Sequence, residues 1–156
     1  MAIYTTTIRT QRPADDVFAY MSDLLNFAEW DPGTKGVVQV GGSGPGPDAR
    51  YDVTVSAPIR DMVLTYAVMQ FDPPRAVTAR AESKSLISKD VITITADGDA
   101  TLVTYSADLQ LKGLLRVADI GLSLVFKRIG DKAAAGLAKH LDGVIVTEPD
   151  TPRSQV

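Results

Sequence analysis

No cysteine occurs in this 156-residue chain. That absence excludes disulfides, thiolate metal ligands and cysteine nucleophiles together. Histidine occurs once, as His140, and one imidazole is too little for zinc, which takes several nitrogen or sulfur ligands. Basic charge is also short. Lys and Arg number 16 against 19 Asp and Glu, a net charge of -3. A nucleic-acid or anionic-membrane surface needs the opposite balance, so neither partner is expected. Long apolar runs are missing too. The stretch from Ile120 to Phe126 is closed off by Asp119 and Lys127, far short of the roughly 20 residues that span a bilayer, and no stable membrane insertion is expected. The start, Met1-Ala2-Ile3-Tyr4-Thr5, has neither the basic opening nor the apolar run of a secretory signal. Cytoplasmic is therefore the default location.

What is present is alternation followed by a helical period. Hydrophobic residues make up 45% of the chain, enough for one folded domain. Ile3 to Gln11 reads as a strand with Tyr4, Thr6, Ile8 and Thr10 on one face. Pro13 opens a helix whose Val17, Phe18 and Met21 share a side. A second short helix through Leu24, Phe27 and Trp30 stops at Pro32-Gly33. Strands are then predicted over 35–40, 50–56, 62–71, 76–83, 88–96 and 101–111. They are punctuated by the loop Gly41 to Pro47, by Asp72-Pro73-Pro74 and by the hairpin signal Asp97-Gly98. In the last strand Val103, Tyr105, Ala107, Leu109 and Leu111 alternate with Thr104, Ser106, Asp108 and Gln110. Such alternation means one covered face and one wet face.

From Leu114 to Leu141 the period becomes helical. At about 100° per residue, Ala118, Val125, Ile129 and Gly136 fall on one line, flanked by Leu115, Leu122 and Ala133. Residues 1–143 thus form one α+β domain, and 144–156 read as a flexible tail. A single helix is a narrow cover for a sheet this wide. A twisted sheet closes the gap by curling round it, which leaves space between the two. Several presumed inner positions are small, among them Ala79, Ala81 and Ala107.

The segments Pro13 to Tyr20, Phe27-Ala28-Glu29-Trp30-Asp31-Pro32, Phe71-Asp72-Pro73-Pro74-Arg75 and the hairpin Asp97 to Tyr105, in this order over roughly residues 3 to 141, resemble the START-like, or polyketide cyclase/dehydrase-like (SRPBCC), superfamily. The resemblance implies a helix-grip fold: a seven-stranded curved antiparallel sheet around a long C-terminal helix, with two short helices after strand 1. It also implies a small hydrophobic ligand such as a lipid, a polyketide or another polycyclic or aromatic molecule. No catalytic motif runs through the superfamily, so none is carried over, and neither a cofactor nor a metal is expected.

The residues expected to line the ligand site are Trp30, Tyr51, Val53, Tyr66, Arg80, Ile92, Ile94, Tyr105, Leu109, Ala118, Leu122, Val125 and Ile129. A buried tyrosine needs a partner for its hydroxyl, whether ligand, water or side chain. Trp30 forms part of the cavity mouth or packs on the core as a lid. The register of the strand holding Arg80 is open. Inward, it anchors a carboxylate or enolate; outward, it is solvated. His140 is either a general base at the cavity end or an exposed group favoured by the helix dipole. The acidic residues look scattered, with no carboxylate pair. Binding or carrying a hydrophobic molecule is the leading function. A cyclase, aromatase or dehydratase in the same cavity is the alternative, and a protein-interaction domain such as a toxin–antitoxin partner is a third. A monomer or homodimer is expected.

Overall fold

The computed structural model describes residues 2–57, 59–113, 115 and 119–147. Strand β1 (Ala2–Thr10) is followed by helix α1 (Ala14–Ser22), a 3-10 turn (Leu24–Asn26) and the one-turn helix α2 (Phe27–Trp30). Then come β2 (Thr34–Gly41), β3 (Arg50–Val55), β4 (Met62–Asp72), β5 (Ala76–Glu82), β6 (Leu86–Asp97) and β7 (Ala100–Leu111). Helix α3 (Asp119–His140) and the short β8 (Val144–Ile145) complete the described chain.

All strands join one antiparallel sheet in the order β2-β3-β4-β5-β6-β7-β1-β8. Strands β2 to β7 pair in succession as hairpins, and β1 lies between β7 and β8, so the two ends of the described chain meet where β1 pairs with β8. The fold is α+β, an open curved sheet gripping a long C-terminal helix. The predicted strand count of seven becomes eight because Val144 and Ile145 pair with Arg9 and Ile8. The Val146 N–H also donates to the Thr7 carbonyl at 2.8 Å. The first part of the predicted tail therefore belongs to the sheet. A two-residue strand carries no period that a sequence can display.

The hydrophobic core lies between the inner sheet face and the helices. Val17, Phe18 and Met21 of α1 are buried in it, as the helical spacing requires. In α3 the most buried positions are Gly130, Ala133, Ala134 and Leu137, continued by Leu141 beyond its end. This stripe is turned by roughly one residue step, about 100°, from the predicted line through Val125, Ile129 and Gly136. Gly130 and Leu137 define it, and the reason is close approach. A Cβ on Gly130 would collide with the Tyr4 ring, and one on Gly136 with the Trp30 carbonyl oxygen. Glycine at both places lets α3 settle onto β1 and α2. The Thr10 hydroxyl locks the far end by donating to the Leu141 carbonyl at 2.6 Å.

Candidate functional site

Strand register puts the inner side chains into rungs that cross the sheet. One rung runs Tyr51, Tyr66, Ala81, Ser88, Leu109 and Ala2. The next runs Val68, Ala79, Asp90, Ala107 and Tyr4. A third holds Val77, Ile92, Tyr105 and Thr6, and a fourth Ile94, Val103 and Ile8. The fourth rung is fully closed by the core. Along β7 the cover then thins: Val103 and Tyr105 are buried, while Ala107, Leu109 and Leu111 are only partly so. The N-terminal half of α3 matches this opening. Leu122 is half-buried there, Val125 is 51% exposed and Ile129 42%. The inner face is thus tightly sealed at one end and loosely covered at the other.

A polar cluster sits where the cover changes. Asp90 is 5% exposed and flanked on both neighbouring strands by alanine, Ala79 and Ala107. Methyl groups are too short to wall off a carboxylate, so it projects above the apolar floor. The Tyr105 hydroxyl donates to it. Beside them the hydroxyls of Tyr66 and Ser88 are 2.7 Å apart. Asp31, at the end of α2, accepts from the Gly33 N–H and the Thr34 hydroxyl, each at 2.9 Å.

Burial pushes the Asp90 carboxyl up to about 7; the Tyr105 hydrogen bond acts against the rise and the charge of Asp31 adds to it. Burial raises Asp31 as well, with its two hydrogen bonds pulling back. The Tyr66 and Tyr105 phenols are raised by burial and by the negative charge of Asp90. Two carboxylates therefore share a desolvated region in which one of them changes protonation near neutral pH.

Trp30 is 2% exposed, so it packs on the core and does not form a mouth. Its ring lies edge-on to Tyr105 at 5.3 Å and 4.9 Å from Phe27. Its indole Nε1 is buried and has no partner, and the buried Tyr51 hydroxyl has none either. Both are groups that normally find one.

Of the expected lining residues, Trp30, Tyr51, Val53, Tyr66, Ile92, Ile94 and Tyr105 are buried in the core cluster, and Leu109 packs against it. Leu122, Val125 and Ile129 lie on the loosely held half of α3, where Ile129 approaches Gly33. Ala118 lies outside the described residues. Arg80 departs from the expectation. It sits opposite Ala67 and Lys89, on the outer face, and its guanidinium donates to Glu82 at 2.7 Å. There it helps line a polar depression of about 240 Å³ with Ile87, Lys89, Asp108 and Gln110. The inward positions of β5 are Val77, Ala79 and Ala81. His140 is exposed at the end of α3. Sequence reasoning missed Asp90, Ser88 and Asp31. For the first two the signal was available: Ser88, Asp90, Ile92 and Ile94 share one period-two face. Among the described residues no group of three or more acidic or histidine side chains is placed to hold a metal ion. No described helix is long and apolar enough to cross a membrane.

Comparison with known proteins agrees with this architecture. An aromatase/cyclase of Streptomyces sp. R1128 superposes with a TM-score of 0.72 at 16% identity, covering 90% of this chain and 93% of its own. A START superfamily protein of Mycobacterium smegmatis gives 0.69 at 16% identity, with 91% and 98% covered. A protein of Thermus thermophilus gives 0.73 at 10% identity, with 89% and 96% covered. At these identities the likeness is one of fold. No curated protein shows significant sequence similarity to the chain. Residues 1–142 match the family described as polyketide cyclase / dehydrase and lipid transport, and the chain belongs to that family.

Proposed function

We propose that this protein binds a small hydrophobic molecule between the inner sheet face and the N-terminal half of α3. One observation carries the reading: apolar side chains on the inner face of β7, Ala107, Leu109 and Leu111, stay only partly covered beside a buried polar cluster. Apolar walls supply affinity through area removed from water, and a few convergent polar groups fix orientation. Family membership supports the same class of role. Lipids, polyketides and polycyclic aromatics all fit the apolar part of this description. The test is saturable binding of a neutral solvatochromic dye to the folded protein, with little dependence on salt because burial drives it. Dye uptake only after partial unfolding would sink the reading.

A second reading, catalysis in the same place, is favoured by Asp90. A desolvated carboxyl poised at about 7 and hydrogen-bonded to a phenol suits proton transfer to or from a bound molecule. The two readings separate on Asp90→Asn. In a binder, affinity alone changes. In an enzyme, turnover falls about 10²–10⁴-fold while binding largely survives.

A further inference from the structure

The charges on the inner side are of one sign. Asp31 and Asp90 are both turned into the protein, and among the described residues no Lys, Arg or His is buried with them. The basic groups of the adjoining strands face outward. Arg80 pairs with Glu82, as does Lys112, and Lys89 lines the outer depression. On α3, Lys127, Arg128 and His140 are exposed. The two carboxylates differ in what they have left to offer. Asp31 is engaged by Gly33 and Thr34. Asp90 receives one phenol, whereas a carboxylate has about four acceptor sites. Trp30 adds a second, independent sign of a ligand on this side, one that carries an acceptor for an indole N–H apart from its cationic group. Its ring lies over the inner face against Tyr105, and its buried N–H is unpartnered. Trp30, Phe27 and Tyr105 form an aromatic wall close to the carboxylate.

We propose that this cleft selects hydrophobic amines, held as ammonium ions against Asp90, over hydrophobic carboxylic acids of the same skeleton. A buried carboxylate is costly without a cation and is relieved by one. Aromatic rings near the charge favour a cation further. A ligand carboxylate in the same place would meet two acidic groups and no base, and would have to enter protonated. The inference rests on the binding reading given above and adds the charge of the ligand to it.

The test uses the full chain with Nile red, a neutral apolar dye, as reporter. Dodecylamine, dodecanol and dodecanoate, one flexible skeleton with three head groups, compete for it at about pH 8, where Asp90 is ionised. Dodecylamine is expected to displace the dye at a concentration at least about tenfold lower than dodecanoate, with the alcohol between them. Asp90→Asn should shrink that ratio to about twofold or less. Glu82→Gln, which removes an equal charge from the outer face, should leave it intact. Equal or tighter competition by dodecanoate overturns the proposal, as does an unchanged ratio in Asp90→Asn. If that variant fails to fold, dodecyltrimethylammonium decides the matter on the native protein, because its own charge does not titrate. Its affinity should rise several-fold between about pH 6 and pH 8 as Asp90 ionises. The titratable groups facing Asp90 are Asp31, Tyr66 and Tyr105, and the phenols, raised above their ordinary range, stay neutral over that window. A flat profile overturns the proposal. Absence of Nile red binding removes the binding reading itself, whereas bound dye with the wrong ranking removes only this inference.

Discussion

In the C-terminal half of α3, Gly130, Ala133, Ala134 and Leu137 are buried against the rest of the protein. In its N-terminal half, Leu124 is 70% exposed and Val125 and Ile129 are about half exposed. The apolar residues of the second region are larger, yet they bury less. The contrast shows that smallness grips here. Gly130 and Gly136 remove the Cβ atoms that would meet Tyr4 and the Trp30 backbone, so the helix axis drops onto β1 and α2 and the neighbouring alanines follow. The N-terminal half offers no such notch. Gly121 has nothing within 4 Å of where its Cβ would stand. A helix seated closely at one end and only partly buried at the other covers the sheet as a wedge. Asp90 lies under the point where the wedge opens, on the rung that ends at Tyr4, the residue Gly130 rests on.

The strongest way to break this comparison is to fill the notch. Gly136→Ala should cost about 3 kcal/mol, because backbone and not a flexible side chain blocks the added methyl. For a domain of this size that lowers the melting midpoint by roughly 6–12 °C. A calorimetric or dichroism melt checks it. A loss near zero would mean that the C-terminal half is not seated as described.

The next effect sharpens the contrast between sealed and open regions through pH. The native Asp90 carboxyl sits at about 7, above the roughly 3.9 of an unfolded aspartate. The native state therefore binds the extra proton, and the stability this group contributes is complete below about pH 4 and lost as pH rises through 7. From about pH 5 to pH 8 the loss should be on the order of 2–3 kcal/mol. Asp90→Asn should flatten that slope and exceed the native protein in stability at pH 8. Chemical denaturation at several pH values measures both. Equal slopes would mean that the carboxylate is better solvated, and the opening over it wider, than the burial implies.

Much of the sheet was legible in the sequence, because period two and turn chemistry are local. Residues 101–111 display their inner face openly, and Asp97-Gly98 marks its hairpin. The rotation of α3 was not legible. Its gripping face is made of glycine and alanine, whose hydrophobic weight is small, while the larger Val125 and Ile129 pulled the expected line towards themselves. Arg80 was legible from its neighbours: with Ala79 and Ala81 on the inner face, alternation puts the residue between them outside, although alanines carry little hydrophobic weight. Asp90 was readable but unread. Alternation carries the face of Ile92 and Ile94 back to it.

A smaller effect comes from Val125→Trp on the open half. With Val125 about half exposed, the indole has room, and the stability change should stay below about 1 kcal/mol. Dye affinity should nevertheless fall, because the added ring occupies part of the proposed cleft. A variant destabilised by much more than this would show a filled interior there. A stable variant with undiminished dye binding would move the ligand away from this face of the helix.

The smallest expected effect is a gain. Gly121→Ala replaces a residue of high chain entropy with the best helix former, at a position where the methyl meets nothing. The change should add about 0.5 kcal/mol, less than the full propensity difference because Gly121 lies in the first turn of α3. The value lies in the sign. One substitution, made three times along one helix, should stabilise at Gly121 and destabilise at Gly130 and Gly136. Helix propensity favours alanine at all three, so the reversal isolates tertiary contact as its cause. At Gly130 the obstacle is the Tyr4 side chain, whose hydroxyl donates to Asp131 at 2.9 Å. A ring can move where a carbonyl cannot, so the Gly130→Ala loss should fall between the other two values. Three melts therefore test the wedge directly. A loss at Gly121 as large as that at Gly136 would mean that the whole helix is gripped alike, and would leave no open half in which to place a ligand.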